Sequence, residues 1–128
     1  MNGGMSGAAG SPLIVADISL ETQHRAEQFL FRQAEILDDG LWDDWLALFT
    51  TDGHYWMPGA PEQTVGEGQP NIFWEDHYLM RTRIGRINHP MAWSRTPANR
   101  TGHVVSNVVV EAEDVSTGDL VVRSKFYV

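Results

Sequence analysis

The sequence predicts an α+β fold, with helices packed on one face of an antiparallel sheet. Three observations carry that prediction. Apolar residues recur at helical spacing through positions 20–49. A valine-rich segment, HVVSNVVVEAED at 103–114, meets a return segment, LVVRSKFYV at 120–128, across the turn signal STGD. Helices come first and the paired strands last, so the two kinds of element are segregated rather than alternating.

Taken in order, the opening MNGGMSGAAGSPLIVA is rich in glycine, serine and alanine and reads as a flexible tail, 1–18, ahead of one domain at 19–128. Asp17 or Ser19 can cap a helix beginning near Leu20, with Glu21 in its first turn. Ala26, Phe29, Leu30, Ala34 and Leu37 form its apolar face, and Asp38, Asp39 and Gly40 stop it, glycine serving as the left-handed cap. A second helix is expected from about Leu41 to Phe49. Trp42, Trp45, Leu46 and Phe49 line one stripe, and Asp43 and Asp44 complement the dipole at its start.

TTDG at 50–53 signals a turn and HYWM a strand. Prolines and glycines through 58–70 mark an irregular loop, either functional or mobile. NIFW then leads into a third helix, about Glu75 to Ile87, and Pro90 and Pro97 break regular structure beyond it.

Composition narrows the function. With 128 residues, 42% apolar and 20% charged, the chain suits one globular domain. Cysteine is absent, which removes disulfides, thiolate nucleophiles and cysteine-held clusters from this chain. Without a basic n-region or an apolar run of membrane-spanning length, the sequence points to a soluble, cytoplasmic protein. The net charge of −8 argues against nucleic acid and anionic membrane as partners.

The charge is unevenly placed. Residues 17–52 carry nine acids against Arg25 and Arg32, whereas 81–100 carry Arg81, Arg83, Arg86, Arg95 and Arg100 and no acid. Such runs pair within a fold, or they dock on an acidic surface of another subunit, where the planar guanidinium matches carboxylates. His24, His54, His77, His89 and His103 show no paired ligand spacing, so no metal is expected on this chain.

Three blocks then carry a resemblance: EQFLFRQAEILDDGLWDDWLALFTTDGHYWMP at 27–58, IFWEDHYLMRTRIGRI at 72–87, and NRTGHVVSNVVVE at 99–111 with VRSKFYV at 122–128. In order and spacing these resemble the small (beta) subunit of bacterial aromatic-ring-hydroxylating dioxygenases. The resemblance implies a cystatin-like roll of the nuclear transport factor superfamily. It further implies a hexamer of three large (alpha) and three small subunits. The Rieske iron–sulfur cluster and the mononuclear iron would sit on the large subunit, with no cofactor on this chain. It would then be a non-catalytic subunit that stabilises the catalytic one in aromatic compound catabolism. Gly102 stands where the family usually has a basic residue, and the family's sheet continues beyond Val128, so the roll is expected to be incomplete at its C-terminal end.

Two other readings stay open beside it. A stand-alone dehydratase or isomerase on this roll would use Asp52, His54, Tyr55 and His103, one as the base and tyrosine to polarise a carbonyl. Alternation in the strand lets His54 and Trp56 share one face and Tyr55 and Met57 the other, and Asp52 before Gly53 also suits a purely structural turn role. A non-enzymatic interaction module would instead use some of Trp42, Trp45, Trp56, Trp74 and Trp93. On the dioxygenase reading, the expected interface residues are Arg81, Arg83, Arg86 and Arg100, pairing with acids across subunits, with Trp74 and Tyr78 as aromatic anchors.

Overall fold

A computed structural model of the chain describes residues 13–14, 17–88 and 100–128. His89, Trp93 and Arg95 lie outside the described residues. In chain order the elements are β1 (Leu13–Ile14), α1 (Leu20–Asp38), α2 (Trp42–Leu46), β2 (Tyr55–Pro58), β3 (Asn71–Glu75), α3 (His77–Ile87), β4 (Val104–Asp114) and β5 (Leu120–Tyr127). They divide into two compact units, one of residues up to Glu35 together with Gly102–Val128, the other Ile36–Thr101.

The first unit is built on an antiparallel sheet in the order β1-β4-β5. The hairpin of β4 and β5 forms where the sequence predicts it. Its turn is closed by Asp114, whose carboxylate accepts from the Ser116 amide at 2.9 Å and hydroxyl at 2.6 Å, while Gly118 supplies a φ of +83°. Leu13–Ile14 pairs antiparallel with Asp114 and Glu113. On the side of β4 away from β5, this extended segment satisfies backbone groups at Glu113 and Asp114.

The β4–β5 register slips between Ser106 and Val109, where Asn107 takes a φ of +53°. At that irregularity Gln23 of α1 donates to the Val108 carbonyl at 3.0 Å and to Glu27 at 2.8 Å, tying helix to strand. Ser19, of the two candidate caps, accepts the Thr22 amide at 3.0 Å. Thr22, Ala26 and Ala34 form the buried line of α1. Phe29, expected on that face, is half exposed because it borders an open groove of about 690 Å³ between α1 and β5, lined also by Leu30, Leu120 and Val122.

At the C-terminus of α1, Gly40 has a φ of +66°, its amide bonds the Leu37 carbonyl at 3.1 Å, and the Leu41 amide bonds that of Ile36 at 3.0 Å. This is the paired bonding of a Schellman cap, and it turns the chain into α2. The second helix is shorter than the apolar stripe predicts. After Leu46 the bonds tighten to three-residue spacing, Leu48 to Trp45 and Phe49 to Leu46. The tightened turn seats Phe49 edge-on to Trp45, ring centres 4.9 Å apart.

The second unit packs around Trp45, Met80 and Ile84, with Ile36, Leu37, Trp42, Leu46, Leu48, Phe49 and Tyr55 partly buried against them. β2 and β3 form an antiparallel ribbon that pairs Tyr55 with Glu75 and Trp56 with Trp74. The connecting loop, expected to be functional or mobile, is pinned. Asn71 accepts from the Trp56 indole at 2.8 Å and from Gln63 at 2.7 Å, and donates to the carbonyls of Gly66 and Gln69. Gln63 also accepts the Gly59 amide at 3.0 Å. α3 begins two residues later than predicted because Asp76, not Glu75, starts it, accepting the Leu79 amide at 2.9 Å. Among the described residues no helix is long and apolar enough to cross a membrane.

Candidate functional site

α3 has two faces with different fates. Met80 and Ile84 are buried. Beside them Arg83 reaches back to Glu75 at the end of β3: Nε lies 3.1 and 3.0 Å from the two carboxylate oxygens, and Nη2 lies 2.8 Å from Oε1. The guanidinium carbon stands 5.6, 5.5 and 5.2 Å from the ring centres of Trp45, Tyr55 and Phe73. Arg83 was expected to pair with an acid of another subunit. It pairs within its own chain, because the Asp76 cap fixes α3 so that its second turn comes back over the end of β3. Bidentate pairing combined with aromatic contact is a use to which lysine is poorly suited.

The opposite face of α3 is open. Tyr78 is 68% exposed. Arg81 and Arg86 are exposed, as is Arg100 beyond the helix. Arg81 Nη2 lies 3.2 Å from His77 Nδ1, a contact that leaves its charge uncompensated. Among the described residues, Arg81, Arg86 and Arg100 make no ion pair. Trp74, expected as an interface anchor, is half-buried. It stacks on His54 at 4.5 Å and 11° and meets Trp56 edge-on at 5.9 Å. Gly66 packs against its indole, where a β-carbon would collide with the ring.

Within the second unit, Tyr55 and His54 lie on opposite faces of the ribbon. Tyr55 turns toward Trp45 and Phe73, at 5.6 and 5.7 Å, while His54 and Trp56 lie with Trp74 on the other face of the ribbon. Asp52 accepts a bond from the Thr50 hydroxyl at 2.7 Å in a turn closed by the Gly53 amide on the Thr50 carbonyl. That hydroxyl, and then the residue's own amide, hold the Asp52 carboxyl below the usual range. A general base working near neutrality needs the opposite shift. His103 belongs to the other unit, half-buried at the start of β4 and tilted on Phe126 at 6.1 Å.

Among the described residues no three histidines or acids are grouped to hold a metal ion. A Rieske cluster takes two cysteines and two histidines, and with no cysteine in the sequence this chain's residues do not fit one.

Reasoning from sequence did not find Glu75 as the partner of Arg83, nor Asn71 as the centre of the loop. Neither has a periodic signal, since both depend on which strand pairs with β2. Asp76 was findable, standing three residues before Leu79 at the head of an apolar run.

Comparison with known proteins places these features. The family described as "Ring hydroxylating beta subunit" matches residues 32–128. The chain is 34% identical over 121 residues to the chlorobenzene dioxygenase subunit beta of Cupriavidus sp. (strain PS12), covering 88% of this chain and 64% of that one. It is 31% identical, with the same coverage, to the biphenyl 2,3-dioxygenase subunit beta of Rhodococcus jostii (strain RHA1). The chain thus spans just under two thirds of the length of these relatives. Among solved structures, a naphthalene 1,2-dioxygenase with indole bound superposes with a TM-score of 0.71 at 22% identity, over 86% of this chain and 61% of that one. The beta subunit of benzoate 1,2-dioxygenase from Burkholderia mallei gives 0.55 at 25% identity, over 88% and 77%. The fold is therefore the α+β fold of these subunits, and the chain belongs to the ring-hydroxylating dioxygenase beta-subunit family.

Proposed function

We propose that this chain acts as the non-catalytic small subunit of a cytoplasmic aromatic-ring-hydroxylating dioxygenase. It stabilises a catalytic large subunit that adds both atoms of oxygen to an aromatic ring. The family match across 32–128 carries this reading. In the proposed complex three large and three small subunits form a hexamer, with the Rieske cluster and the mononuclear iron on the large subunit. The lack of cysteine here is consistent with that division of labour. Exposed Tyr78, Arg81, Arg86 and Arg100 are the proposed subunit contacts. Trp74 is proposed as the second aromatic anchor beside Tyr78, while Arg83 contributes by holding Glu75 within the chain.

Co-expression with the large subunit of the same organism tests the reading. The large subunit is expected to gain yield and retain ring-hydroxylating activity only when this chain is present. Turnover of a substrate by this chain alone would refute it.

A further inference from the structure

We propose that the groove between α1 and β5 is a binding site for an elongated apolar carboxylate, of the medium-chain alkanoate kind. Both walls lie in the first compact unit, which holds α1 up to Glu35 and all of β5. A volume of about 690 Å³ falls within the range of small-molecule sites. The apolar lining comes from Phe29 and Leu30 on the helix and from Leu120 and Val122 on the strand. Phe29 keeps half of its surface exposed, so its ring is available to a ligand.

The charged lining is of one sign. Arg25 and Arg32 border the groove, and among the described residues no acid does. That inverts the balance of a chain whose net charge is −8. Both arginines are exposed, and among the described residues neither forms an ion pair. Partners on the same helix are within reach. Glu21 stands four residues before Arg25, and Glu35 three after Arg32, spacings at which helical side chains meet. The arginines are seven residues apart in sequence, and so roughly 10 Å apart along the helix axis. A guanidinium takes a carboxylate through two parallel N–H bonds, which gives the groove a preference for an anionic head. The aliphatic floor favours a chain over a flat ring, since Phe29 alone of the apolar lining could stack on one. With its head on a guanidinium and its tail along Leu30, Leu120 and Val122, the ligand covers Phe29. The site is independent of the subunit reading above, because α3 takes no part in it.

The test titrates the whole chain alone with octanoate, 1-octanol and benzoate, followed by amide NMR and calorimetry. Octanoate is expected to saturate, with the largest shifts along Arg25–Arg32 and Leu120–Val122, and to bind more weakly as salt is raised. 1-Octanol has the same chain and no charge. It should bind roughly tenfold more weakly, the loss expected for a charge-assisted bond. Benzoate, which has no tail, should also bind more weakly. R25Q/R32Q should bring octanoate down to the level of 1-octanol, and Phe29→Ser should weaken both. All three positions are exposed, so circular dichroism should be unchanged. No saturation by octanoate, shifts centred on Ile36–Thr101, or equal affinity for 1-octanol would each overturn the proposal. So would benzoate binding tighter than octanoate, or either variant binding octanoate as wild type does. None of these outcomes bears on co-expression with a large subunit, and failure of that experiment leaves this site standing.

Discussion

Arg83 grips Glu75 with two nitrogens, at 2.8 to 3.1 Å, beneath a wall of three aromatic rings. The carboxylate is only 13% exposed and the guanidinium 29%. Removing either partner leaves the other charge partly desolvated, so Glu75→Gln and Arg83→Met are each expected to destabilise the chain by roughly 1.5–3 kcal/mol. Arg83→Lys should recover little of this, since it loses the fork and the flat contact with the rings. Chemical denaturation of the two single variants and the double variant measures the coupling. Additive losses would show that the pair contributes no more than its separate parts.

Met80 is fully buried at the centre of the second unit. Truncation to alanine removes its burial and leaves a cavity among Trp45, Ile84 and their neighbours, at a cost of about 2–5 kcal/mol. The midpoint of urea unfolding should fall accordingly. The same truncation at exposed Leu20 should leave it nearly unchanged.

Gly66 leaves no room for a side chain against Trp74. Gly66→Ala is expected to displace the indole and its stack on His54, costing roughly 1–3 kcal/mol as overpacking does. Near-ultraviolet circular dichroism should report the altered aromatic environment, with far-ultraviolet signal retained. An unchanged aromatic spectrum would contradict the contact.

The hairpin turn should weaken in acid. Bonds from Ser116 first, and then the Ser116 and Thr117 amides, hold the Asp114 carboxyl below its ordinary value. A carboxyl depressed in the folded state contributes stability above its unfolded pKa, about 3.9, and loses it as pH falls through the folded value. Ser116→Ala removes the largest cause. Titration by carboxyl NMR should then move Asp114 upward, toward the ordinary range.

The elements that could be read from sequence are those with local causes. Helical periodicity gave α1, the Gly40 stop needs only one residue's conformational freedom, and the β4–β5 hairpin announces itself by valine runs around a turn. Asp52 likewise follows from its place before Gly53. Features that depended on long-range pairing were hidden. NIFW reads as a short extended piece until its register with β2 is known, and that register places Glu75 for Arg83 and Asn71 for Trp56. The basic run at 81–100 was legible as a run, but not that Arg83 parts from its neighbours to bond Glu75. The Asp76 cap fixes the phase of α3, which sends Arg83 inward and leaves Arg81 and Arg86 outside.

The central claim is that this chain supports a catalytic large subunit rather than performing the chemistry itself. Co-purification measures it most directly: a tagged dioxygenase large subunit from the same organism is expressed with and without this chain, and ring-hydroxylating turnover is assayed on both preparations. The prediction is stable co-elution, higher yield and turnover that depends on both chains. A large subunit equally soluble and active alone, with this chain absent from the eluate, would contradict it.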